Sequence, residues 1–204
     1  MAETETTPAP RPGRRRGDAR ERLLAAAARR FYADGVSATG IDTITAEAGV
    51  AKMSLYNNFS SKADLVRAYL DARHEEWLGL YRARLAATSG DGREGVLAVF
   101  DAYADHASSA YEHGFRGCGL LNAAAELPAG DEGRDAVRRH KEEVEELLAG
   151  HVARLLPGRD EEARSVAEHL AFLLEGAMAR AGLEGAGTRI AHARTMAANL
   201  VDRL

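Results

Sequence analysis

The 204-residue chain is 46% hydrophobic and 28% charged, a composition typical of a water-soluble globular protein with a hydrophobic core. It has no apolar run near the roughly 18 residues of a membrane helix, and its first residues lack the apolar stretch of a secretory signal, so we expect a cytoplasmic protein. The net charge of −4 is unevenly distributed, because residues 1–70 carry 11 lysines and arginines against 8 acidic residues, which leaves the rest of the chain acidic.

The first predicted helix follows a basic arm. Residues 1–17 are rich in threonine, proline, glycine and arginine, and we expect them to be disordered. Arg14, Arg15 and Arg16 lie in this arm, where they could reach phosphates or a minor groove of DNA. A helix is predicted over residues 18–33, with Asp18 as its N-cap. Its inward face would consist of Leu23, Leu24, Ala27 and Phe31.

Two short helices joined by a glycine turn come next. Apolar spacing predicts one helix over residues 41–48, Gly49 suits the left-handed turn, and a second pattern covers residues 51–59. Leu55 and Phe59 are four residues apart, so they share one face and are expected to pack into the core. This layout is typical of a helix-turn-helix, whose second helix enters the major groove of DNA. The alternative is an ordinary solvated polar face.

The rest of the chain is predicted to be helical as well. A long helix should begin at Ser61, with Asp64 as its capping-box partner, and run to about residue 87. Breaks that contain glycine or proline separate further helices near 94–112, 118–127, 132–155, 160–182 and 187–204. The sequence therefore predicts an all-α fold of about nine helices, with a three-helix domain over residues 18–60 and a larger helical domain over 61–204.

Side chains suited to DNA contact cluster around the second short helix. Lys52 can approach a phosphate or a guanine edge, Met53 can press on a thymine methyl, and Asn57 can hydrogen-bond a base. Lys62 begins the next helix, where the backbone N–H groups and the helix dipole favour an anion. The predicted DNA-contacting residues are Arg14, Arg15, Arg16, Thr39, Thr43, Lys52, Met53, Ser54, Tyr56, Asn57 and Lys62.

The run TITAEAGVAKMSLYNNFSSKADLV, residues 43–66, resembles the signature of the tetracycline-repressor (TetR/AcrR) family of transcriptional regulators. The pattern departs from the family at Gly40 and Ala51, where Ser or Thr commonly caps the two helices. The positions that match the family pattern are Ile44, Ala48, Gly49, Val50, Leu55, Tyr56, Phe59, Ser61, Lys62 and Leu65.

The resemblance implies a homodimer and assigns dimerisation and effector binding to residues 61–204. In the family the last two long helices of each subunit pack into a four-helix bundle, and two copies of the DNA-binding helix then lie about 34–36 Å apart, matching a palindromic operator. Alternatively, these faces only seal the core of one subunit. The predicted interface residues are Val166, Leu170, Leu173, Leu174, Ala177, Ile190, Ala193, Ala197, Leu200 and Leu204.

The resemblance also implies an effector pocket between the middle helices. Aromatic residues with few charges would suit a small, largely apolar ligand, although aromatic residues and methionines at helical spacing are more often plain core. Asn122 and Glu175 stand out, because a polar group on an apolar face needs a partner. The predicted pocket residues are Trp77, Tyr81, Phe100, Tyr103, Phe115, Cys118, Leu121, Asn122, Phe172, Glu175 and Met178.

No other motif suggests chemistry of a different kind. Cys118 is the only cysteine, which excludes an internal disulfide, and it is either a redox sensor or a buried inert thiol. The seven histidines have no metal-ligand spacing, and no catalytic or nucleotide-binding motif occurs, so we expect no metal, no cofactor and no enzymatic activity.

The sequence thus predicts a DNA-binding transcriptional regulator, a repressor that a small, largely apolar effector releases from a palindromic operator. One alternative is an activator or a ligand-independent regulator of the same fold. Another is a helical enzyme or partner-binding protein in which the helix-turn-helix match is accidental.

Overall fold

The computed structural model describes residues 16–108 and 112–204, with only the backbone of Arg16. Within these residues every regular element is an α-helix, so the all-α prediction is confirmed. The nine described helices are α1 (Arg16–Ala33), α2 (Ile41–Ala48), α3 (Lys52–Tyr56), α4 (Lys62–Ala86), α5 (Gly92–Ala107), α6 (Gly119–Glu126), α7 (Glu132–Leu155), α8 (Asp160–Glu184) and α9 (Thr188–Val201).

Helices α1, α2 and α3 pack together into a small unit, here called the head. Each of the three helices contributes one fully buried side chain to the core of the head, namely Leu23, Ile44 and Leu55. Gly49 ends α2 in the left-handed conformation at φ +60°, a geometry that strongly favours glycine. The guanidinium of Arg22 in α1 donates to the carbonyls of Ala48 and Gly49, which satisfies the end of α2.

The helices of the head begin differently from the long helix that follows. Gly40 and Ala51 precede α2 and α3 without any side-chain cap, as the departures from the family pattern predict. At α4, the Asp64 amide donates to Ser61 Oγ over 3.1 Å, and the Asp64 carboxylate accepts from the Ser60 amide at 2.8 Å. A carboxylate in the first turn also favours the helix dipole, so α4 has a well-defined start beside α3.

Helices α4 to α9 form the larger unit, here called the body. Helix α5 lies at its centre, packed against α4, α7 and α9, and every residue from 95 to 100 is buried. The hydrophobic core continues into the head, where Phe31 of α1 meets Tyr69 of α4 edge to face with ring centroids 5.4 Å apart. Because one core runs through both units, the division at residue 60 stays a prediction.

The predicted helix boundaries agree with the described ones to within about two residues at most ends. Three helices end early: α3 ends at Tyr56 instead of Phe59, α5 ends at Ala107 instead of residue 112, and α9 ends at Val201 instead of residue 204. None of the described helices is long and apolar enough to span a membrane.

Candidate nucleic-acid interface and effector cavity

One side of α3 projects from the surface of the head. The side chains of Lys52 and Met53 are 55% and 69% exposed, and Tyr56 and Asn57 are also exposed. Leu55 is fully buried on the opposite side and thereby sets the rotation of this short helix. Such an arrangement offers one cation, one amide, one hydroxyl and one thioether to an external surface.

The ammonium group of Lys52 is held in place by an acidic residue of α2. Lys52 Nζ lies 2.8 Å from Asp42 Oδ1. The hydrogen bond and the charge of Asp42 raise the pKa of Lys52, so the amine stays protonated. The pair links the first turns of α2 and α3 and keeps the cation on the exposed side of the head.

The remaining predicted DNA-contacting residues differ in accessibility. Thr43 is exposed, and Lys62 and Ser54 are half-buried. Thr39 is only 3% exposed and its hydroxyl donates to the Gly35 carbonyl over 2.6 Å, so it has no surface to offer DNA. Arg14, Arg15 and the side chain of Arg16 lie outside the described residues.

Three residues of the body, Arg116, Gly117 and Glu126, bind the end of α1 and the loop after it, residues 32–37. We call this set of contacts the α6 clamp. The Glu126 carboxylate at the end of α6 accepts from the amides of Val36 at 3.1 Å and Ser37 at 2.7 Å. Burial opposes its charge, yet these two hydrogen bonds lower the pKa of Glu126. The clamp therefore includes a charged carboxylate tied to the backbone of the head.

The other half of the α6 clamp precedes α6. The Arg116 guanidinium donates to the carbonyls of Tyr32, at 2.8 Å, and Ala33 at the end of α1. The Tyr32 hydroxyl accepts from the Arg116 amide at 2.7 Å and donates to the Gly117 carbonyl at 3.2 Å. A cleft of about 560 Å³ lies beside the clamp, between the head loop, the start of α4 and the start of α7. Sequence periodicity gave no indication of the clamp, because it connects residues more than 80 positions apart.

Aromatic side chains of α4 and α5 surround a small cavity inside the body, here called the inner cavity. Its volume is about 20 Å³, and Trp77 forms one wall. The Trp77 ring stacks on Tyr81 at 5.6 Å and lies 5.3 Å from the Tyr103 ring. Four predicted effector residues line this cavity, namely Trp77, Tyr103, Cys118 and Met178.

An ion pair lies next to the inner cavity, on α7 and α8. Lys141 Nζ is 2.7 Å from Glu175 Oε1, 3.3 Å from the Tyr103 hydroxyl and 3.5 Å from Cys118 Sγ. Burial alone would lower the pKa of Lys141, but Cys118, Tyr103 and Glu175 together raise it well above its ordinary value. Glu175 Oε1 thus has the partner that a polar group on an apolar face requires, whereas Oε2 is buried without a hydrogen-bond partner among the described residues.

Several polar residues of the cavity escaped the sequence prediction: Arg73, His106 and His140 line it as well. Burial and the Lys141 charge lower the pKa of His140 to about 3, and burial also lowers the pKa of His106, so both rings are neutral near pH 7. For His140 the sequence does contain an indication of a polar site, because this residue interrupts the apolar face formed by Val137 and Val144 on α7.

The other predicted pocket residues lie elsewhere. Leu121 is 39% exposed and Phe172 is 67% exposed, so both face outward from the body. Phe100 and Phe115 are core residues that do not line the inner cavity. The Tyr81 hydroxyl bonds His151 Nε2 at 2.6 Å, and Asn122 Nδ2 donates to the Arg116 carbonyl at 3.0 Å, which places Asn122 beside the α6 clamp.

The predicted dimer residues divide between the core and the surface. Six of them are at most 9% exposed within the core of a single protomer: Leu170, Leu174, Ala177, Ile190, Ala193 and Ala197. Val166, Leu173 and Leu200 are half-buried, and Leu204 is exposed. The large apolar side chains that α8 and α9 expose are Phe172, Leu183 and Met196. On α8 and α9 a second copy could therefore contact these exposed side chains and the four predicted residues with exposed surface, but not the six buried ones.

Residues 23–69, which contain most of the head and the first part of α4, match the family described as bacterial regulatory proteins, tetR family. The chain is 36% identical over 111 residues to the transcriptional activator FasR of Mycolicibacterium smegmatis, a match that covers 50% of each chain. It is 41% identical over 66 residues to the transcriptional regulator TtgR of Pseudomonas putida, covering 32% of this chain and 31% of TtgR. The matches thus span half or less of these two relatives.

Solved structures match over nearly the whole chain. A TetR-family transcriptional regulator from Streptomyces coelicolor superposes with a TM-score of 0.80 and 34% identity, covering 91% of this chain and 89% of that one. A TetR transcriptional regulator from Chloroflexus aurantiacus superposes with a TM-score of 0.77 and 27% identity, covering 92% and 96%. These matches confirm the resemblance seen in residues 43–66, and the chain belongs to the TetR family of bacterial transcriptional regulators.

Proposed function

We propose that this protein is a homodimeric repressor that binds a palindromic DNA operator through α3 and releases it when a small molecule binds inside the body. The observation that carries the proposal is the exposed side of α3, where Lys52, Met53, Tyr56 and Asn57 face solvent over a buried Leu55. These side chains have the reach and the chemistry to contact base edges and phosphates in a major groove.

Lys62 and Thr43 would contact phosphates on either side of α3. Lys62 is the first residue of α4, where the unpaired backbone N–H groups and the helix dipole add to its own charge. Phosphate contacts orient the head on DNA but do not read its sequence. Base selection would then fall to Lys52, Met53 and Asn57.

Dimerisation would occur through the outer side of α8 and α9. Phe172 and Leu183 on α8 and Met196 on α9 are large, apolar and exposed, which is unusual for a surface without a partner. A groove of about 500 Å³ runs beside Phe172 along α8. Two copies joined here would present two heads, as a palindromic operator requires.

Effector binding at the inner cavity would reach the head through α6. Cys118, Gly119 and Leu120 at the start of α6 line the cavity, and Glu126 at its end holds Val36 and Ser37. This helix has eight residues and is about 12 Å long. A ligand that displaces its start therefore shifts the α6 clamp, and ligand and DNA must weaken each other's binding by the same factor.

An activator of the same fold is the second candidate, because the relative FasR bears the name of a transcriptional activator. An activator would use the same α3 side chains, so DNA binding alone does not separate the two. In vitro transcription from a template that carries the selected site does, since a repressor lowers the transcript and an activator raises it. A helical enzyme or partner-binding protein would show no sequence-selective DNA binding.

The test is a selection from random double-stranded DNA with the full chain. We expect an inverted repeat with half-sites spaced by whole helical turns. Met53→Ala should change the selected bases, whereas Lys62→Ala should keep them and lower the salt slope by about 1 per protomer. Arg82→Ala, an exposed residue on the same α4, is the matched control. Recovery of no enriched sequence would refute the proposal.

A further inference from the structure

Two buried N–H donors at the inner cavity have no partner in the described structure. They are the indole Nε1 of Trp77 and the guanidinium Nε of Arg73, and both residues line the cavity. Trp77 is only 4% exposed, so solvent cannot satisfy its N–H group. Buried donors without an acceptor are rare because they lose their bonds to water and gain nothing in return.

A third unpartnered donor stands beside the same wall. The Tyr69 hydroxyl has no hydrogen-bond partner among the described residues, and an added Cβ at Gly119, a residue of the cavity wall, would lie 3.0 Å from it. Burial raises the pKa of Tyr69, so the hydroxyl keeps its proton. The two N–H groups can only donate and the Tyr69 hydroxyl can donate as well, so a binding partner for them must supply acceptor atoms.

The hydrogen-bonding groups around the inner cavity favour a strong acceptor. Among the described residues that line the cavity, Arg73 is the one charged side chain, since His106 and His140 are neutral near pH 7. The Nη2 atom of Arg73 already pairs with Glu76 Oε2 at 2.5 Å, so Nε is the donor that remains for a ligand. The nearby Lys141 is balanced by Glu175 at 2.7 Å. A carboxylate offers two oxygens and about four acceptor positions, and hydrogen bonds to an ionised acceptor are stronger than those to a neutral one.

The available space limits the size of the ligand. The inner cavity, at about 20 Å³, has room for one oxygen-sized group. A cleft of about 230 Å³ between α4, α6 and α7, here called the outer cleft, shares Leu120 and His140 with it as walls. A polar head group inside and a short hydrocarbon body outside would together displace these two side chains.

We propose that the effector is a small monocarboxylic acid whose carboxylate accepts hydrogen bonds from Trp77 Nε1 and Arg73 Nε, with its hydrocarbon part directed past Leu120 into the outer cleft. This inference rests on the proposed function and names the ligand class of its effector site. It narrows the expectation of a largely apolar ligand to an amphipathic one. Entry past Leu120 also acts directly on α6, which ends in the α6 clamp.

Trp77 is the only tryptophan in the chain, so its fluorescence reports directly on this site. The experiment titrates the full chain at constant pH and ionic strength with benzoate and with straight-chain carboxylates from acetate to octanoate, and with the primary amide of each. We expect a saturable fluorescence change with at least one acid, and binding weaker by about tenfold for its amide, which lacks the charge. No saturable response to any acid, or amides that bind as well as acids, would overturn the proposal.

Variants on α4 identify the donor. Arg73→Met should weaken binding of the responding acid by about tenfold, while Arg82→Met, exposed on the same helix, should leave it unchanged. Trp77→Phe removes the other donor and is followed by calorimetry, with circular dichroism confirming that each variant is folded. Unchanged binding in both folded Arg73→Met and folded Trp77→Phe would rule out these donors.

The same titrations in the presence of selected DNA separate this proposal from the function it rests on. A saturable response in a protein that binds no DNA sequence would support the acid site and refute the regulator. Normal DNA binding in a protein that no acid affects would overturn the acid site alone, and would leave the inner cavity as a position for one structural water.

Discussion

At the scale of single residues, the pairing of Lys52 with Asp42 would determine the charge that α3 presents to DNA. Both side chains are more than half exposed, and ion pairs of this kind contribute little to stability. Exchanging the Asp42 carboxylate for a phosphate oxygen therefore costs little. Asp42 itself, however, would remain close to the phosphates and repel them.

Asp42→Asn should consequently increase the affinity for DNA. Removal of the carboxylate frees Lys52 and deletes a repelling charge, and we expect binding to tighten by about threefold to tenfold at low salt, with a steeper dependence on salt. The measurement is fluorescence anisotropy with a labelled duplex over a series of salt concentrations. Asp135→Asn is the control, because it removes an exposed carboxylate paired with Arg138 on α7, far from the head. Equal affinities and slopes for both variants would show that Asp42 faces no phosphate.

Some residue roles could be predicted from the sequence and others could not. The four-residue spacing of Leu55 and Phe59 predicts their burial, and both are buried. Trp77 and Phe172 look alike as aromatic residues on helical faces, yet one lines a cavity and the other faces solvent. Their difference depends on which neighbouring helices cover each face, and periodicity carries no information about the neighbour.

At the scale of elements, α6 is the shortest helix of the body and runs from the inner cavity to the loop after α1. Its first residues line the inner cavity, and its last residue, Glu126, binds the backbone of the head. Its beginning has no side-chain cap at Cys118, but the preceding residues Arg116 and Gly117 bind the end of α1. A short helix bound to the head at both ends is suited to transmit a displacement.

Glu126→Gln should loosen the head loop. An amide oxygen is a weaker acceptor than a carboxylate, and the Gln amide also brings donors that the Val36 and Ser37 N–H groups cannot use. We expect hydrogen–deuterium exchange at Val36 and Ser37 to accelerate by about tenfold, while exchange in the centre of α5 stays unchanged.

Glu132→Gln provides the matched control, because its side chain is 92% exposed and lies at the start of α7. If the two variants exchange at the same rate at Val36 and Ser37, the carboxylate of Glu126 does not restrain the loop. If Glu126→Gln accelerates exchange throughout α5 as well, the effect is global destabilisation, and the clamp has no separate role.

The elements themselves were the most predictable level of this structure. Glycine and proline mark the breaks, and the long helices α4, α7 and α8 have enough turns for their apolar period to be clear. Helix α3 was predicted too long, because Asn57 and Asn58 continue the pattern although the backbone leaves the helix after Tyr56. The α6 clamp could not be predicted, since its partners are far apart in sequence and meet only through tertiary packing.

At the scale of the whole molecule, the basic front of the chain and the apolar outer side of α8 and α9 have complementary roles. Electrostatic attraction would bring the basic front to DNA, whereas hydrophobic burial would join the two copies that a palindrome requires. Of the predicted interface residues, Val166, Leu173, Leu200 and Leu204 have exposed surface. The other six are buried because the same apolar spacing also seals the core of one protomer. Helices α8 and α9 carry two apolar sides, and only exposure distinguishes them.

Phe172→Glu should therefore abolish the dimer. The substitution places a charge where an exposed aromatic ring would be buried between copies, and a buried unpaired charge is strongly unfavourable. We expect a stable monomer in analytical ultracentrifugation, because a surface residue of the single protomer is changed and the core is not. Leu121→Glu, also on an exposed apolar residue of the body, should remain dimeric and serve as the control.

The Phe172→Glu monomer should also bind DNA more weakly, because it has one head and cannot contact both half-sites at once. We expect its affinity for the selected inverted repeat to fall by about two orders of magnitude or more, while its affinity for a single half-site stays the same. A Phe172→Glu protein that sediments as a dimer and binds the repeat normally would place the interface on another side of the molecule.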